Sequence, residues 1–224
     1  LLGTNRELKP DETIPDTFPM VKYAYLNLLW NKAADTREKA YEEMNNWVAN
    51  FPSLKIGAKD KARCYAQLAR WQLTKHEKLD DISAQKILTT ASQAIDKAPD
   101  WYRAWHVWAQ VNYKFVSYFE KVNPRHPKLD TYLTPAINGF TKTIALAPYE
   151  ALQDLLQLLT LWFKYGAKKD VEKAMLDGCK IINVDRWISV IPQLMARIHI
   201  NLRSVRLWIH RTLSSIGKSH AQTL

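Results

Sequence analysis

The stretch Ala91-Ser92-Gln93-Ala94-Ile95-Asp96-Lys97-Ala98-Pro99-Asp100-Trp101-Tyr102-Arg103-Ala104-Trp105 decides the fold. Its first half sets Ala91, Ala94 and Ile95 at helical spacing, so it reads as the last turns of a helix. Pro99 cannot continue that helix, because its ring removes an N–H donor and clashes with the preceding turn. An aromatic-rich helix then starts after Pro99-Asp100. The pattern is a helix, a proline stop and a second helix that packs back. The same punctuation returns in Gly139-Phe140-Thr141-Lys142-Thr143-Ile144-Ala145-Leu146-Ala147-Pro148-Tyr149.

A helix closing in small residues, a proline and a returning aromatic helix read like a tetratricopeptide junction. One such pair cannot bury its own apolar face, so pairs stack into a superhelix. Working outward, helical periodicity predicts helices over about 20–34, 36–51, 59–76, 81–97, 101–122, 131–147, 149–165, 168–182, 185–198 and 202–216. Val21, Tyr25, Leu28 and Leu29 mark the expected apolar face of the first. Trp101, Trp105 and Trp108 recur one turn apart in the fifth and are expected in the core, in preference to a base-stacking platform. Asp81, Asp100 and Asp185 stand at helix starts as expected N-caps, Gly166 at a helix end as an expected C-cap. Pro192 predicts a kink or a late start in the ninth helix. Asn123-Pro124-Arg125-His126-Pro127 is a clear break. The expected fold is all-α, an α-solenoid of antiparallel helix pairs. Residues 1–19 are expected as a linker, 20–122 as tetratricopeptide-like pairs and 131–224 as HEAT-like pairs.

Composition agrees. The chain has 224 residues, 47% hydrophobic, with only 6 glycines, too few for the turns of a sheet protein of this length. No uncharged apolar run is long enough to span a membrane, and no charged-then-apolar leader precedes the helices. Cys64 and Cys179 sit in no ligand spacing, and reduced buried thiols are expected. Leu1 is not Met, and the end at Leu224 has no stop signal, so a piece of a longer protein is expected. The net charge of +10 suits a polyanion such as nucleic acid, acidic headgroups or a polyphosphate, or is the local imbalance of a fragment.

Catalytic and metal-binding patterns are missing: no glycine-rich phosphate loop, no GxSxG, no HExxH. The six histidines are scattered. Two basic groups remain. Arg63 and Arg70 on the third helix and Arg103 on the fifth form one group, and consecutive helix pairs could bring Arg63 and Arg103 into one groove, where guanidinium groups hold phosphates by charge-assisted bonds. Arg203, Arg206 and His210, with Arg211 and Lys218, read as a solvated face.

The sequence resembles the FAT domain of target-of-rapamycin kinases. The residues that carry this are Tyr23-Ala24-Tyr25-Leu26-Asn27-Leu28-Leu29-Trp30, Ala62-Arg63-Cys64-Tyr65 with Trp71-Gln72-Leu73, and Trp101-Tyr102-Arg103-Ala104-Trp105-His106-Val107-Trp108-Ala109. Gln153-Asp154, Leu158-Leu159-Thr160-Leu161-Trp162-Phe163-Lys164-Tyr165-Gly166 and Trp187-Ile188-Ser189-Val190-Ile191-Pro192-Gln193-Leu194-Met195-Ala196-Arg197-Ile198 carry it further, followed by Ile209-His210 and Ile216-Gly217. The resemblance implies the C-terminal part of a helical-repeat domain that clamps the kinase domain of a large serine/threonine protein kinase, stopping before the rapamycin-binding and catalytic domains. The chain itself would then be a scaffold and not an enzyme, with no catalytic residue and no metal. ATP and magnesium would belong to the parent's kinase domain alone.

The same resemblance implies partners: the parent's own kinase domain and the protein subunits of a target-of-rapamycin complex, with nucleic acid not expected. It implies a cytoplasmic location, with partners bringing the protein to endomembrane surfaces. Some members of the wider family hold inositol hexakisphosphate in a basic FAT pocket, and Arg63 and Arg103 fall where two of its basic residues lie. Asn27, Asn31 and Gln67 stand where the family pattern supplies further lysines. A polyanion-binding module, for inositol polyphosphate or RNA, and a free-standing tetratricopeptide adaptor are the alternatives.

Overall fold

The computed structural model describes residues 18–76, 80–149 and 151–220. Among these it forms ten α-helices, one 3-10 helix and no strand. In order they are α1 (Pro19–Lys32), α2 (Ala34–Ala49), α3 (Ala58–Lys75), α4 (Asp81–Lys97), α5 (Tyr102–Val122), α6 (Leu129–Leu146), α7 (Leu152–Tyr165), α8 (Lys169–Cys179), the 3-10 helix (Val184–Val190), α9 (Ile191–Met195) and α10 (Arg203–Ser219). Consecutive helices pair, and the pairs α1/α2, α3/α4, α5/α6 and α7/α8 stack in a row. One layer holds α1, α3, α5 and α7; the other holds α2, α4, α6 and α8. This is the all-α solenoid expected from the proline punctuation. The expected linker, residues 1–19, lies outside the described residues except for Phe18 and Pro19, which cap and open α1.

A single apolar core runs between the layers from Leu26 to Ile216. Its bulkiest fully buried members include Trp71, Trp162, Phe115 and Phe140. Truncating such a Trp or Phe to Ala costs about 3–5 kcal/mol in a close-packed interior. The layers approach closely where side chains vanish. A Cβ on Gly178 of α8 would lie 2.3 Å from Thr141 Cγ2 of α6, and one on Gly139 of α6 would lie 2.9 Å from Ala109 Cβ of α5. Both glycines are there for contact.

Several local expectations change. On α1, Leu26 and Lys22 turn inward, while Val21 and Leu28 are exposed, because α2 and α3 cover only one side of a helix that is apolar almost all round. Trp101, Trp105 and Trp108 are half-buried; the core positions of α5 are Ala104, Val107, Val111 and Phe115. The caps move as well. Asp80, not Asp81, accepts the Ser83 N–H at 2.8 Å, and Asn183, not Asp185, caps the 3-10 helix by accepting the Asp185 N–H at 3.0 Å. Asp100 makes no cap bond, since Trp101 occupies the N-cap of α5.

Gly166 does follow α7, but with φ −63°, so left-handed backbone is not the reason for a glycine. A Cβ there would meet Val205 Cγ2 of α10 at 2.9 Å. Gly217 does not stop α10, which runs on to Ser219. The ninth predicted helix is instead a 3-10 helix followed by a short α9 with Pro192 in its first turn, so Pro192 marks a late start. The three-residue period of a 3-10 helix places Trp187 and Val190 inward and leaves Ile188 and Ile191 half-buried.

Candidate basic cavities on the odd-numbered layer

The groove between α1, α3 and α5 is built by helical spacing. Arg63, Gln67 and Arg70 stand at i, i+4 and i+7 on α3 and share one face. Arg103 stands in the first turn of α5, just after the Pro99 junction, and its helix packs against α3. All four residues line one cavity of about 290 Å³, closed on its α1 side by Met20 and Tyr23. The structure therefore brings Arg63 and Arg103 to one cavity and adds Arg70, which sequence reading grouped with them by charge. Asn27 and Asn31 do not line it; the Asn27 amide donates to the Tyr23 carbonyl at 2.8 Å.

A second cavity, of about 440 Å³, opens on the far side of the same two arginines, Arg70 and Arg103, toward α7. Tyr102, Tyr149, His106 and Asp154 line it. Sequence reading missed this half of the site, although His106 and Asp154 both stood inside stretches that carry the family resemblance.

The charges in the two cavities differ in what already balances them. Arg63 is taken: its Nη1 lies 3.0 Å from Asp60 Oδ1 and 3.2 Å from Met20 Sδ. Asp154 is taken too, bound by His106. Arg70 and Arg103 have no carboxylate partner among the described residues. Partial desolvation at the cavity wall lowers the proton affinity of Arg70, and the nearby Arg103 charge acts in the same direction. Arg103 Nε donates to the Tyr102 hydroxyl at 3.0 Å, and that bond raises its proton affinity. Tyr102 and Tyr149 hydroxyls share a hydrogen bond, so the aromatic wall is tied to the end of the α6–α7 loop. Two adjacent guanidinium groups with no carboxylate partner among the described residues, and with tyrosine hydroxyls beside them, can hold a multiply charged anion.

Elsewhere, Arg203, His210, Arg211 and Lys218 are exposed on α10, the solvated face expected of them. No group of three His, Cys, Asp or Glu residues among the described residues could hold a metal ion. No helix among them is long and apolar enough to cross a membrane. Cys64 and Cys179 are free thiols, the first buried and the second half-buried.

The sequence has known counterparts. The family model described as "FAT domain" matches residues 1–160. The serine/threonine-protein kinase mTor of Drosophila melanogaster is 34% identical over 253 aligned residues, covering the whole of this chain and 10% of the relative. The serine/threonine-protein kinase TOR of Arabidopsis thaliana is 31% identical across the whole chain and 10% of its own length. The TOR kinase of Oryza sativa subsp. japonica is 39% identical over 73% of the chain and 7% of its own length. The chain thus spans about a tenth or less of the length of these relatives. A match over most of the chain to the family model, on a structure of stacked helix pairs, shows that the chain belongs to the FAT-domain family, in the form found in target-of-rapamycin kinases.

Proposed function

We propose that this chain is a scaffold segment of a target-of-rapamycin-type serine/threonine kinase, one that clamps and positions a kinase domain and docks partner subunits without catalysing phosphotransfer itself. The observation that carries this reading is the unbroken core from Leu26 to Ile216 in a chain similar over its whole length to such kinases. Stacked pairs with one continuous core resist bending, so they can hold attached domains at a set spacing. The parent would act in the cytoplasm, reaching endomembrane surfaces through its partners, with ATP and magnesium confined to its kinase domain. The test is direct: the purified chain, given ATP, magnesium and serine/threonine peptides, is expected to transfer no phosphate. Robust ATP-dependent phosphorylation that survives removal of contaminating kinases would overturn the reading.

A second reading is favoured by Arg70 and Arg103. These neighbouring cations would hold an inositol polyphosphate such as inositol hexakisphosphate, with Arg63 joining once it leaves Asp60. Calorimetry with inositol hexakisphosphate at physiological salt is expected to give saturable heat that is lost in Arg103→Ala. Equal binding by Arg103→Ala would rule out this cavity.

A further inference from the structure

The other layer carries a groove of opposite character. It lies between α4, α5, α6 and α8, with a cavity of about 630 Å³, inside the range of about 300–1,000 Å³ typical of binding pockets. One wall is Trp105 and Trp108, both half-buried. Ile95 of α4 and Ile181, just beyond α8, supply apolar surface across from them. Three charges line the groove: Asp96 on α4, Asp177 on α8 and Lys142 on α6, all exposed. Asp177 is already bridged to Lys180 at 2.7 Å. Asp96 has no ion-pair partner among the described residues.

The groove is built before any ligand arrives. The Trp105 indole N–H donates to the Pro99 carbonyl at 2.7 Å, which fixes that ring. Trp108 lies tight against α6, where a Cβ on Gly139 would come within 3.0 Å of its Cδ1. Gly178 lets α8 close onto Thr141. An aromatic wall held in this way loses little freedom when it binds.

We propose that this groove docks a peptide segment that inserts one arginine between aliphatic neighbours. Charge complementarity decides the occupant. On a chain of net charge +10, the groove presents an uncompensated carboxylate beside two indoles. A guanidinium stacks its flat face on an indole while its N–H groups reach a carboxylate. Aliphatic neighbours meet Ile95 and Ile181. Lys142 on the α6 side repels a second cation, so one arginine seats toward α4. An anionic ligand of the kind the arginine cavities suit would meet Asp96 and Asp177 here. This site is independent of the anion reading and goes beyond the scaffold role, because it names what this face holds.

The test uses the 224-residue chain and a fluorescein-labelled, end-capped peptide with one arginine between two leucines, read by anisotropy. Saturable binding is expected. Replacing the peptide's arginine by glutamate or norleucine, or substituting Asp96→Lys in the chain, is expected to weaken it about tenfold or more, the worth of a charge-assisted pair. Asp35→Lys on α2 makes the same change in net charge away from the groove and is expected to bind as the unsubstituted chain does. Both aspartates are exposed, so circular dichroism should show the fold intact. Absence of saturable binding, equal binding of the norleucine peptide, or equal losses from Asp96→Lys and Asp35→Lys would overturn the proposal.

Discussion

His106 Nδ1 on α5 lies 2.9 Å from Oδ1 and 3.2 Å from Oδ2 of Asp154 on α7, and the Asp154 side chain is only 9% exposed. An ionised carboxylate can only accept, so Nδ1 carries the proton. One turn along each helix the Gln110 amide donates to Gln157 Oε1 at 2.6 Å, which makes a polar seam between two helices of one layer. His106→Ala leaves a buried carboxylate without its partner. It is expected to destabilise the chain by about 1–3 kcal/mol, and Asp154→Asn, which keeps an acceptor and removes the charge, by less. Urea unfolding midpoints measure both, and an unchanged midpoint for His106→Ala would mean that the tie contributes nothing.

Gly178 of α8 lies against Thr141 of α6, where an added Cβ would fall 2.3 Å from Thr141 Cγ2. Thr141 is 2% exposed, so it has no room to swing away. Gly178→Ala is expected to cost about 1–3 kcal/mol by overpacking, despite the better helix propensity of alanine. Thr141→Ala, which removes two of the three offending atoms, should recover part of that loss in the double variant. A double-mutant cycle on thermal unfolding gives the coupling, and strict additivity of the two substitutions would contradict the contact.

Burial pushes both thiols up, Cys64 from its ordinary 9.0 to about 12 and Cys179 likewise to about 12. The folded chain therefore keeps protons that the unfolded chain releases above pH 9.0. Stability from these groups is intact below that pH and declines as pH rises toward 12. The double variant Cys64→Ser/Cys179→Ser should show a shallower loss of stability between those limits. At neutral pH both thiols should resist alkylation until the chain is unfolded, as mass spectrometry would register.

The junctions at Pro99 and Pro148 were legible because each proline follows a small residue at a helix end and precedes a new helix, a local pattern that Pro135, inside α6, does not share. The pairing of Arg63 with Arg103 was legible for a related reason, since a short junction places successive odd-numbered helices side by side. What depends on a neighbour was not legible. The sequence of α1 offers Val21, Tyr25, Leu28 and Leu29 as readily as Leu26, and only the position of α2 and α3 selects Leu26. Gly139, Gly166 and Gly178 look like turn residues in sequence, but each is required by an atom on another helix. The second cavity needed Asp154 beside His106, 48 positions apart, and no local pattern links them.

The tryptophans show the same limit and give the last prediction. By spacing alone Trp105 and Trp162 look equivalent, each on an apolar helical stripe. In the structure Trp162 is 0% exposed and packs edge-on against Trp208 at 4.3 Å, and Trp208 in turn meets Trp187 at 4.8 Å, which joins α7, the 3-10 helix and α10. Trp105 is half-buried on the wall of a groove. Trp162→Ala should therefore cost about 3–5 kcal/mol, the range for emptying a packed indole site. Trp105→Ala removes fewer packed neighbours and should cost less than half of that. Denaturant unfolding of the two variants ranks them. Equal losses would return Trp105 to the core, and with it the stripe of Trp101, Trp105 and Trp108 that periodicity alone predicts.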